Sequence, residues 1–373
     1  MTSSSYTAEQ IQVLEGLEPV RKRPGMYIGS TGQEGLHHLV TEIVNNSMDE
    51  AIGGFANHIK VEFLEDGSVA VYDNGRGVPF DIKKEYGVSA LELAFTKLHA
   101  GAKFGGGGYK VSSGLHGVGS SVVNALSKWC RVVVKRGNKI VIQEYINGGK
   151  VARPVEDLDR KNPVTKVKGA KWNLDLDGWD YESGTIVQFM PDDTVFETTK
   201  FDHKFFVNQL REYAYLTAGV RFEFLDRISN QNHIFYFEGG TKSYLTSLNR
   251  NKDVINDSPF YIKRDYEDVA VEVALQYNDS FTETVLCFAN HLKNPEGGTH
   301  ATGFRAALTR VINDYARNHS YLKEKDANLT GDDLREGLTA IISVKMDSTQ
   351  LQFEGQTKAI LGNTHVRVEL RQS

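Results

Sequence analysis

The chain has 373 residues, of which 40% are hydrophobic and 24% charged, and its formal net charge is −5 at pH 7. This length exceeds what a single hydrophobic core usually fills, so we expect two domains of an ordinary globular protein. The charge excludes a surface that is basic throughout, and any contact with nucleic acid must use a local basic patch.

The two cysteines, Cys130 and Cys287, lie in apolar strand-like runs, which favours buried and reduced thiols. The first ten residues lack the basic and apolar regions of a signal peptide. No run of about 18 apolar residues occurs that would span a membrane. The sequence therefore predicts a cytoplasmic protein with no membrane partner.

Helices and strands alternate along the first part of the chain. A polar arm leads into a short helical stretch, and residues 33–53 are predicted to form one long helix. Residues 59–73 have the pattern of a two-stranded hairpin, and residues 88–100 that of a second amphipathic helix. The segment 101–119 is rich in glycine and is predicted to be a loop.

The remaining elements predict an α+β fold in two domains. Strands are expected at 129–136, 139–147 and 184–190, with 155–183 inserted between strands. A helix that ends at Gly219 suggests a boundary, which gives domains of residues 1–219 and 220–373. The second is expected to contain strands at 220–227, 232–238, 260–275 and 282–291, a helix at 299–318 and a late strand. We expect each sheet to be covered by helices on one face.

The helix predicted for residues 33–53 carries a polar sector beside its apolar stripe. At 3.6 residues per turn, a sector of about 100° contains His38, Glu42, Asn45, Asn46 and Asp49. A solvated face is the ordinary interpretation, but two adjacent asparagines are poor helix formers. Glu42 can act as a general base held by His38, and the amide oxygen of Asn46 can bind Mg²⁺. This combination suggests phosphoryl transfer to water.

Two glycine-containing segments follow this helix. Asp73 ends an apolar strand and precedes Gly75 and Gly77, so its carboxylate can accept the amino group of adenine where a flat ligand approaches. An ordinary turn explains this motif equally well. The loop that ends at Gly119 offers backbone amides to an anion, with a flexible linker as the alternative. Motifs of the P-loop, protein-kinase and dinucleotide-binding classes are absent from the sequence.

Three motifs occur in a characteristic order, and their residues are ExxNNSMDEA from Glu42, DNGRGVP from Asp73 and GLHGVGSSVVNALS from Gly114. With GTIVQF from Gly184, they resemble the GHKL ATPases. Further segments such as GGTHATGFRAALTR and FEGQTKAILGN are similar to those of the ATPase subunits of bacterial type II topoisomerases, gyrase B foremost and its topoisomerase IV counterpart as the alternative. The resemblance implies a GHKL (Bergerat) sandwich of mixed sheet and helices, followed by an α/β transducer domain with left-handed βαβ-type topology.

The resemblance also implies ATP and Mg²⁺ as ligands, and it assigns roles motif by motif. Glu42 matches the catalytic base and His38 its orienting partner, while Gln356 and Lys358 match residues that reach the γ-phosphate. Asp73 matches the adenine-reading carboxylate. The other positions implied to contact the nucleotide are Asn46 (also the metal ligand), Glu50, Arg76, Gly77, Pro79, Lys103, Gly114, Leu115, His116, Gly117, Val118, Gly119, Thr185 and Tyr6.

The implied function is that of an N-terminal fragment whose ATP-driven dimerisation gates DNA strand passage and negative supercoiling. An arm at 1–16 would embrace a second copy, and an ATP lid is expected at about 98–118. The implied partners are that second copy, the gyrase A protein in an A2B2 assembly and double-stranded DNA, with Arg305 and Arg310 as candidate contacts. A clamp switched by nucleotide with negligible hydrolysis is an alternative from another class.

Overall fold

The computed structural model describes residues 14–100, 111–112, 114, 117–354 and 358–372. Its helices are α1 (Glu18–Lys22), α2 (Gly25–Ile28), α3 (Gln33–Ile52), α4 (Ala90–Thr96), α5 (Gly119–Ala125), α6 (His203–Leu216), α7 (Gly240–Leu248), α8 (Thr299–Asn318) and α9 (Thr364–Gln372). Its strands are β1 (His58–Phe63), β2 (Val69–Asp73), β3 (Ile82–Lys83), β4 (Val88–Ser89), β5 (Ser127–Arg136), β6 (Lys139–Ile146), β7 (Lys150–Asp157), β8 (Ser183–Pro191), β9 (Arg221–Asp226), β10 (Gln231–Phe235), β11 (Phe260–Asp265), β12 (Val269–Tyr277), β13 (Thr284–Ala289), β14 (Leu292–Lys293), β15 (Leu338–Met346), β16 (Phe353–Glu354) and β17 (Ile360–Leu361).

The first large sheet is mixed and has the strand order β10-β9-β1-β2-β8-β5-β6-β7. Strands β1 and β9 run parallel, and the other neighbours are antiparallel. Alternate residues of these strands point to opposite faces, so Val71 packs into the core beneath the helices while Tyr72 packs into the core on the other side. Helix α3 lies across the first face with its apolar stripe fully buried. The predicted α+β class and the long helix are confirmed.

The strands that follow Gly219, where the domain boundary was predicted, belong to the first sheet. Strand β9 pairs in parallel with β1, and β10 adds to the edge of the same sheet. The buried ring of Phe224 packs edge-on against Phe63 of β1, with ring centroids 5.0 Å apart. Gly219 lies in the turn after α6, and its N–H donates to the carbonyl of Phe237, beyond β10. The first sheet therefore extends through Phe235.

The outer face of this sheet is covered by the segment that follows β7. Leu158, Leu174, Leu176 and Trp179 bury their side chains there against the strands. The expectation that helices cover one face of the sheet is therefore confirmed for this domain, and the inserted segment covers the other face. Strand β7 itself was not predicted, and it contains Pro154, which a sheet tolerates at an edge such as this one.

The second sheet has the order β11-β12-β15-β13-β14. Strands β13 and β15 are parallel neighbours joined through α8, which is the βαβ connection of the expected transducer domain. Its handedness stays a prediction. Helices α8 and α9 share the core on one face, whereas Leu245 of α7 and Leu216 of α6 pack on the other. The segment predicted as one strand at 260–275 is a hairpin of β11 and β12.

The cysteines and the length of the helices bear on two expectations from composition. Both cysteines are buried and free, as predicted, and burial raises the pKa of each thiol. Within the described ranges, every helix is too short or too polar to cross a bilayer.

Candidate active site

The polar sector of α3 is buried or half-buried along its length. Asn45 and Asp49 are buried, and the side chain of Glu42 is 22% exposed. His38 Nε2 lies 3.1 Å from Glu42 Oε1, one helical turn away, so the imidazole holds the carboxylate in place. The ordinary interpretation of a solvated face therefore does not apply to this helix.

The start of α5 lies directly against this sector. Asn46 Nδ2 donates to Ser120 Oγ at 3.1 Å, which fixes the plane of the Asn46 amide. A Cβ on Gly119 would come within 2.2 Å of the Glu42 carboxylate, so a larger residue here would have to displace that carboxylate from its present position. The backbone amides that begin α5 are thereby brought beside the histidine-held carboxylate.

Asp73 lies at the end of β2, where neutral groups donate to its carboxylate. Ser47 Oγ donates to Oδ2 at 2.9 Å, and the N–H of Gly75 donates to Oδ1 at 2.9 Å. Asp73 is 7% exposed, and this burial raises its pKa to about 6. Thr185 is its register partner on β8, and Thr185 Oγ1 accepts from the N–H of Val78 at 3.3 Å.

The loop after β2 is fixed by Glu50 of α3. Glu50 Oε2 accepts from the backbone N–H of Arg76 at 2.7 Å, and Oε1 accepts from its guanidinium at 2.7 Å. The same guanidinium lies 3.7 Å above the ring of Phe55. Gly75 packs so closely that a Cβ would come within 2.7 Å of Glu50, and Gly77 has a φ of 75°. Glu50 therefore fixes the conformation of this loop from the side of α3.

The inserted segment also supports this loop from the opposite side. Trp179 Nε1 donates to the carbonyl of Asp73 at 3.1 Å, and Ser183 Oγ donates to the carbonyl of Gly75 at 2.6 Å. Sequence reasoning missed these two residues, together with Ser47 and Ser120. Only Ser47 carried a signal, because a serine within a buried apolar stripe requires a hydrogen-bond partner.

The remaining predicted residues are distributed over both domains. Gly114, Gly117 and Val118 are partly exposed in the segment that leads into α5, and Pro79 is exposed at the outer end of its loop. Lys358 belongs to the second domain, between β16 and β17, and has a φ of 54°. The predicted residues Tyr6, Lys103, Leu115, His116 and Gln356 lie outside the described residues.

A separate groove of about 510 Å³ lies along α8 and is lined by Arg305 and Arg310, the candidate DNA contacts. Arg305 is held by Glu283, whose two carboxylate oxygens accept from Nε at 3.0 Å and from the terminal nitrogen at 2.9 Å. Glu283 therefore fixes the guanidinium of Arg305 beside the groove. That these arginines contact DNA stays a prediction.

Comparisons with known proteins match both domains. Residues 31–151 match the family described as histidine kinase-, DNA gyrase B- and HSP90-like ATPase, and residues 240–372 match the family described as DNA gyrase B. The chain is 52% identical over 97% of its length to the DNA gyrase B protein of Clostridium acetobutylicum, and covers 54% of that protein. It is 53% identical to the DNA gyrase B protein of Streptococcus pyogenes, again over 97% of its length and 53% of the relative. The chain thus spans about half the length of the curated relatives it matches.

Solved structures agree with these sequence matches. The 43K ATPase domain of Thermus thermophilus gyrase B, solved with an aminocoumarin, is 38% identical with a TM-score of 0.78, and 95% of this chain and 87% of that one are covered. The topoisomerase IV ATP-binding domain of Francisella tularensis, solved with a small-molecule inhibitor, is 31% identical with a TM-score of 0.74, and 96% and 91% are covered.

Proposed function

Because this chain belongs to the DNA gyrase B family, we propose that it binds ATP between α3, the loop after β2 and the start of α5, and hydrolyses it there. The observation that carries this proposal is the pairing of His38 with Glu42 at 3.1 Å beside Asn46 and the first turn of α5. A carboxylate positioned in this way can take a proton from the attacking water.

Asp73 is the group that selects adenine in this proposal. Among the described residues, its carboxylate accepts hydrogen bonds from neutral donors such as Ser47 and Gly75, so its negative charge is available to a ligand. The 6-amino group of adenine can donate to it, whereas guanine would present a carbonyl oxygen that the carboxylate repels. Thr185, opposite Asp73 in the sheet, supplies a hydroxyl close to the same ligand edge.

The triphosphate is proposed to extend from Asp73 toward Glu42 along the segment from Gly117 to Gly119. Within the described residues, no cluster of three or more histidine, cysteine or acidic side chains can hold a metal ion. A single amide ligand, with its plane set by Ser120, fits Mg²⁺, which usually combines one or two protein oxygens with water and substrate phosphates. Bound Mg²⁺ would neutralise charge on the phosphate oxygens. Asn46 would hold it, while Glu42 orients the water.

The second domain is proposed to sense the nucleotide through Lys358. Its ammonium would stabilise charge on the γ-phosphate, so ATP binding and the position of this domain become linked. In the whole protein, we propose that two copies close together in this way around a DNA segment. Supercoiling by the complete protein with the gyrase A protein is the corresponding activity to measure.

Substitution of Glu42 tests the proposed hydrolysis. Glu42→Ala should lower phosphate release about 100-fold or more, because the general base is lost. Dimerisation with a non-hydrolysable ATP analogue should persist, as Asp73 and the loop amides remain. Glu34→Ala, which removes an exposed carboxylate from the same helix, is the matched control and should match the wild type. Unchanged turnover in Glu42→Ala would remove the assigned base, and no measurable turnover in the wild type would favour the clamp without hydrolysis.

A further inference from the structure

Lys358 has a backbone conformation that its side chain does not favour. Its φ of 54° lies in the left-handed region, where the Cβ of an L-residue is crowded by the backbone. Such conformations persist when neighbouring groups enforce them, and they often occur at functional sites. The contacts that hold this residue therefore bear on what its side chain can reach.

Asn294 is the residue that fixes the backbone of Lys358. Its Nδ2 donates to the carbonyl of Lys358 at 2.8 Å, and Asn294 is 1% exposed. His300 Nε2 lies 3.1 Å from Asn294 Oδ1, which orients the amide so that its nitrogen faces the lysine. The next carbonyl, of Ala359, accepts from the N–H of Glu296 at 3.2 Å. One short segment after β14 thus sets the path of the lysine loop.

The hairpin of β13 and β14, which leads into this segment, contains a second buried asparagine at its turn. Asn290 and His291 have φ values of 46° and 64° and form the tight turn between β13 and β14. Asn290 Oδ1 accepts from the N–H of Met346 at 2.9 Å, and its Nδ2 donates to the carbonyl of Met346 at 2.9 Å. That Nδ2 also donates to the carbonyl of Ser112, in the first domain, at 3.0 Å. Asn290 therefore ties the turn to both domains at once.

Two further contacts anchor the hairpin on α6. Lys293 Nζ lies 2.7 Å from Glu212 Oε2, and the ring of His291 packs edge-on against Tyr213 with centroids 5.8 Å apart. The hydroxyl of Tyr213 donates to Asn45 Oδ1 of α3 at 3.1 Å, next to Asn46 in sequence. The hairpin is consequently connected to the helix that carries the candidate catalytic residues.

We propose that the hairpin from Asn290 to Asn294 positions Lys358 relative to α3 and to Ser112, with Asn290 and Asn294 as positioning residues. This inference rests on the proposed function, in which Lys358 acts on the terminal phosphate. The hairpin holds the carbonyl of Ser112 at one end and the carbonyl of Lys358 at the other. A movement of the first domain relative to the second would therefore move the hairpin, and with it the backbone of Lys358.

Steady-state ATP hydrolysis by Asn294→Ala tests this inference. We expect kcat to fall about tenfold or more, as misplacement of a reacting group by about 1 Å can cause. The KM for ATP should change little, because the adenine contacts are untouched. Asn278→Ala is the matched control, since Asn278 is a buried asparagine of the same domain that bonds to Asn249 and Thr339 instead. It should lower stability without this selective loss of kcat.

A double-mutant cycle with Lys358→Asn separates positioning from general damage. Asparagine tolerates the left-handed backbone, so this variant removes the ammonium with little strain. If Asn294 acts through Lys358, adding Asn294→Ala to Lys358→Asn should lower kcat no further. Independent, multiplying losses would overturn the inference while leaving the proposed function intact. A wild-type kcat in Lys358→Asn alone would instead remove the lysine from the proposed function, and the inference with it.

Asn290→Gly tests the other end of the hairpin. Glycine keeps the left-handed turn and removes only the side chain, so the bonds to Ser112 and Met346 are lost. We expect a selective loss of kcat that is again absent in the Lys358→Asn background. A folded Asn290→Gly protein with wild-type kcat would overturn the role of this end of the hairpin.

Discussion

Two buried polar clusters lie on opposite faces of the first sheet, and they hold their charges differently. On the outer face, Glu144 Oε1 accepts from Arg131 Nε at 2.9 Å, while Lys166 N donates to Oε2 at 2.8 Å. Arg131 is also bonded to Gln188 at 2.8 Å, and both charged residues are fully buried. On the helical face, Asp73 is held by a hydroxyl and a backbone amide.

This difference separates a structural cluster from a site that can bind a ligand. The outer pair neutralises its own charge and attaches the inserted segment to the sheet. Within the part of the chain that the structure describes, the Asp73 carboxylate has no cationic partner, and its burial raises its pKa to about 6, so the ionised form destabilises the folded chain. Burial of a charge is therefore informative about function only when its partners are also known.

The largest expected effect comes from breaking the outer cluster. Arg131→Ala leaves Glu144 buried without its main counter-charge and should lower the free energy of unfolding by about 3–5 kcal/mol. The KM for ATP should be nearly unchanged, because Arg131 lies on the other face of the sheet. The double variant Arg131→Met with Glu144→Leu should recover part of the stability, as measured by denaturant unfolding. A large change in KM with unchanged stability would contradict this assignment.

Asp73→Asn should weaken ATP binding without destabilising the folded protein, the opposite of Arg131→Ala. Because the pKa of Asp73 is raised, the folded chain holds a proton that the unfolded chain has released between about pH 4 and 6. The stability contributed by this carboxyl is fully present at low pH and is lost as the pH rises through 6. At pH 7 the amide removes this penalty and should stabilise the protein by up to about 3 kcal/mol. ATP binding should weaken about tenfold to a hundredfold, because the amide would face the adenine amine with a donor.

Calorimetry and thermal unfolding of the same protein measure both effects. Asp193→Asn, which removes an exposed carboxylate from the same domain, is the control for loss of charge. A variant that loses stability and keeps its ATP affinity would place Asp73 in the structural class with Glu144.

The smallest effect is the pH dependence of ATP affinity. At pH 5, one unit below the pKa of about 6, only about a tenth of Asp73 is ionised, and affinity should be about tenfold lower than at pH 7. The triphosphate of ATP also titrates in this pH range. The effect of Asp73 is therefore measured as the difference in ATP affinity between the wild type and Asp73→Asn at each pH. Parallel profiles for the two proteins would exclude ionisation of Asp73 as the cause.

The fold was predictable where one element carries its own pattern. Helix α3 and the β1–β2 hairpin follow from apolar periodicity, and Asp73 and Glu42 were chosen as candidates because their neighbours in sequence suggested a chemical role. Strand β7 was not predicted from the sequence, because Pro154 and an irregular register interrupt its strand pattern. Strand β9 was predicted, but its pairing with β1 was not, because β1 lies more than 150 residues earlier in the chain.

Apart from Ser47, the parts of the site that were missed depend on distant pairs. Trp179 meets the carbonyl of Asp73 across 106 positions, and Asn290 meets Ser112 across 178. Neither residue differs in its local sequence from an ordinary core indole or turn asparagine. Such contacts follow from the strand order and not from any spacing along the chain.

The pairing of β9 with β1 determines where this protein could be shortened safely. A version that stops at Gly219 would lose both strands that close this side of the sheet, and β1 would present a bare row of amides and carbonyls to other molecules. Phe63 would also lose the ring of Phe224. Open strand edges of this kind promote self-association. The smallest soluble ATPase unit should therefore extend past Phe237, whose carbonyl receives the N–H of Gly219.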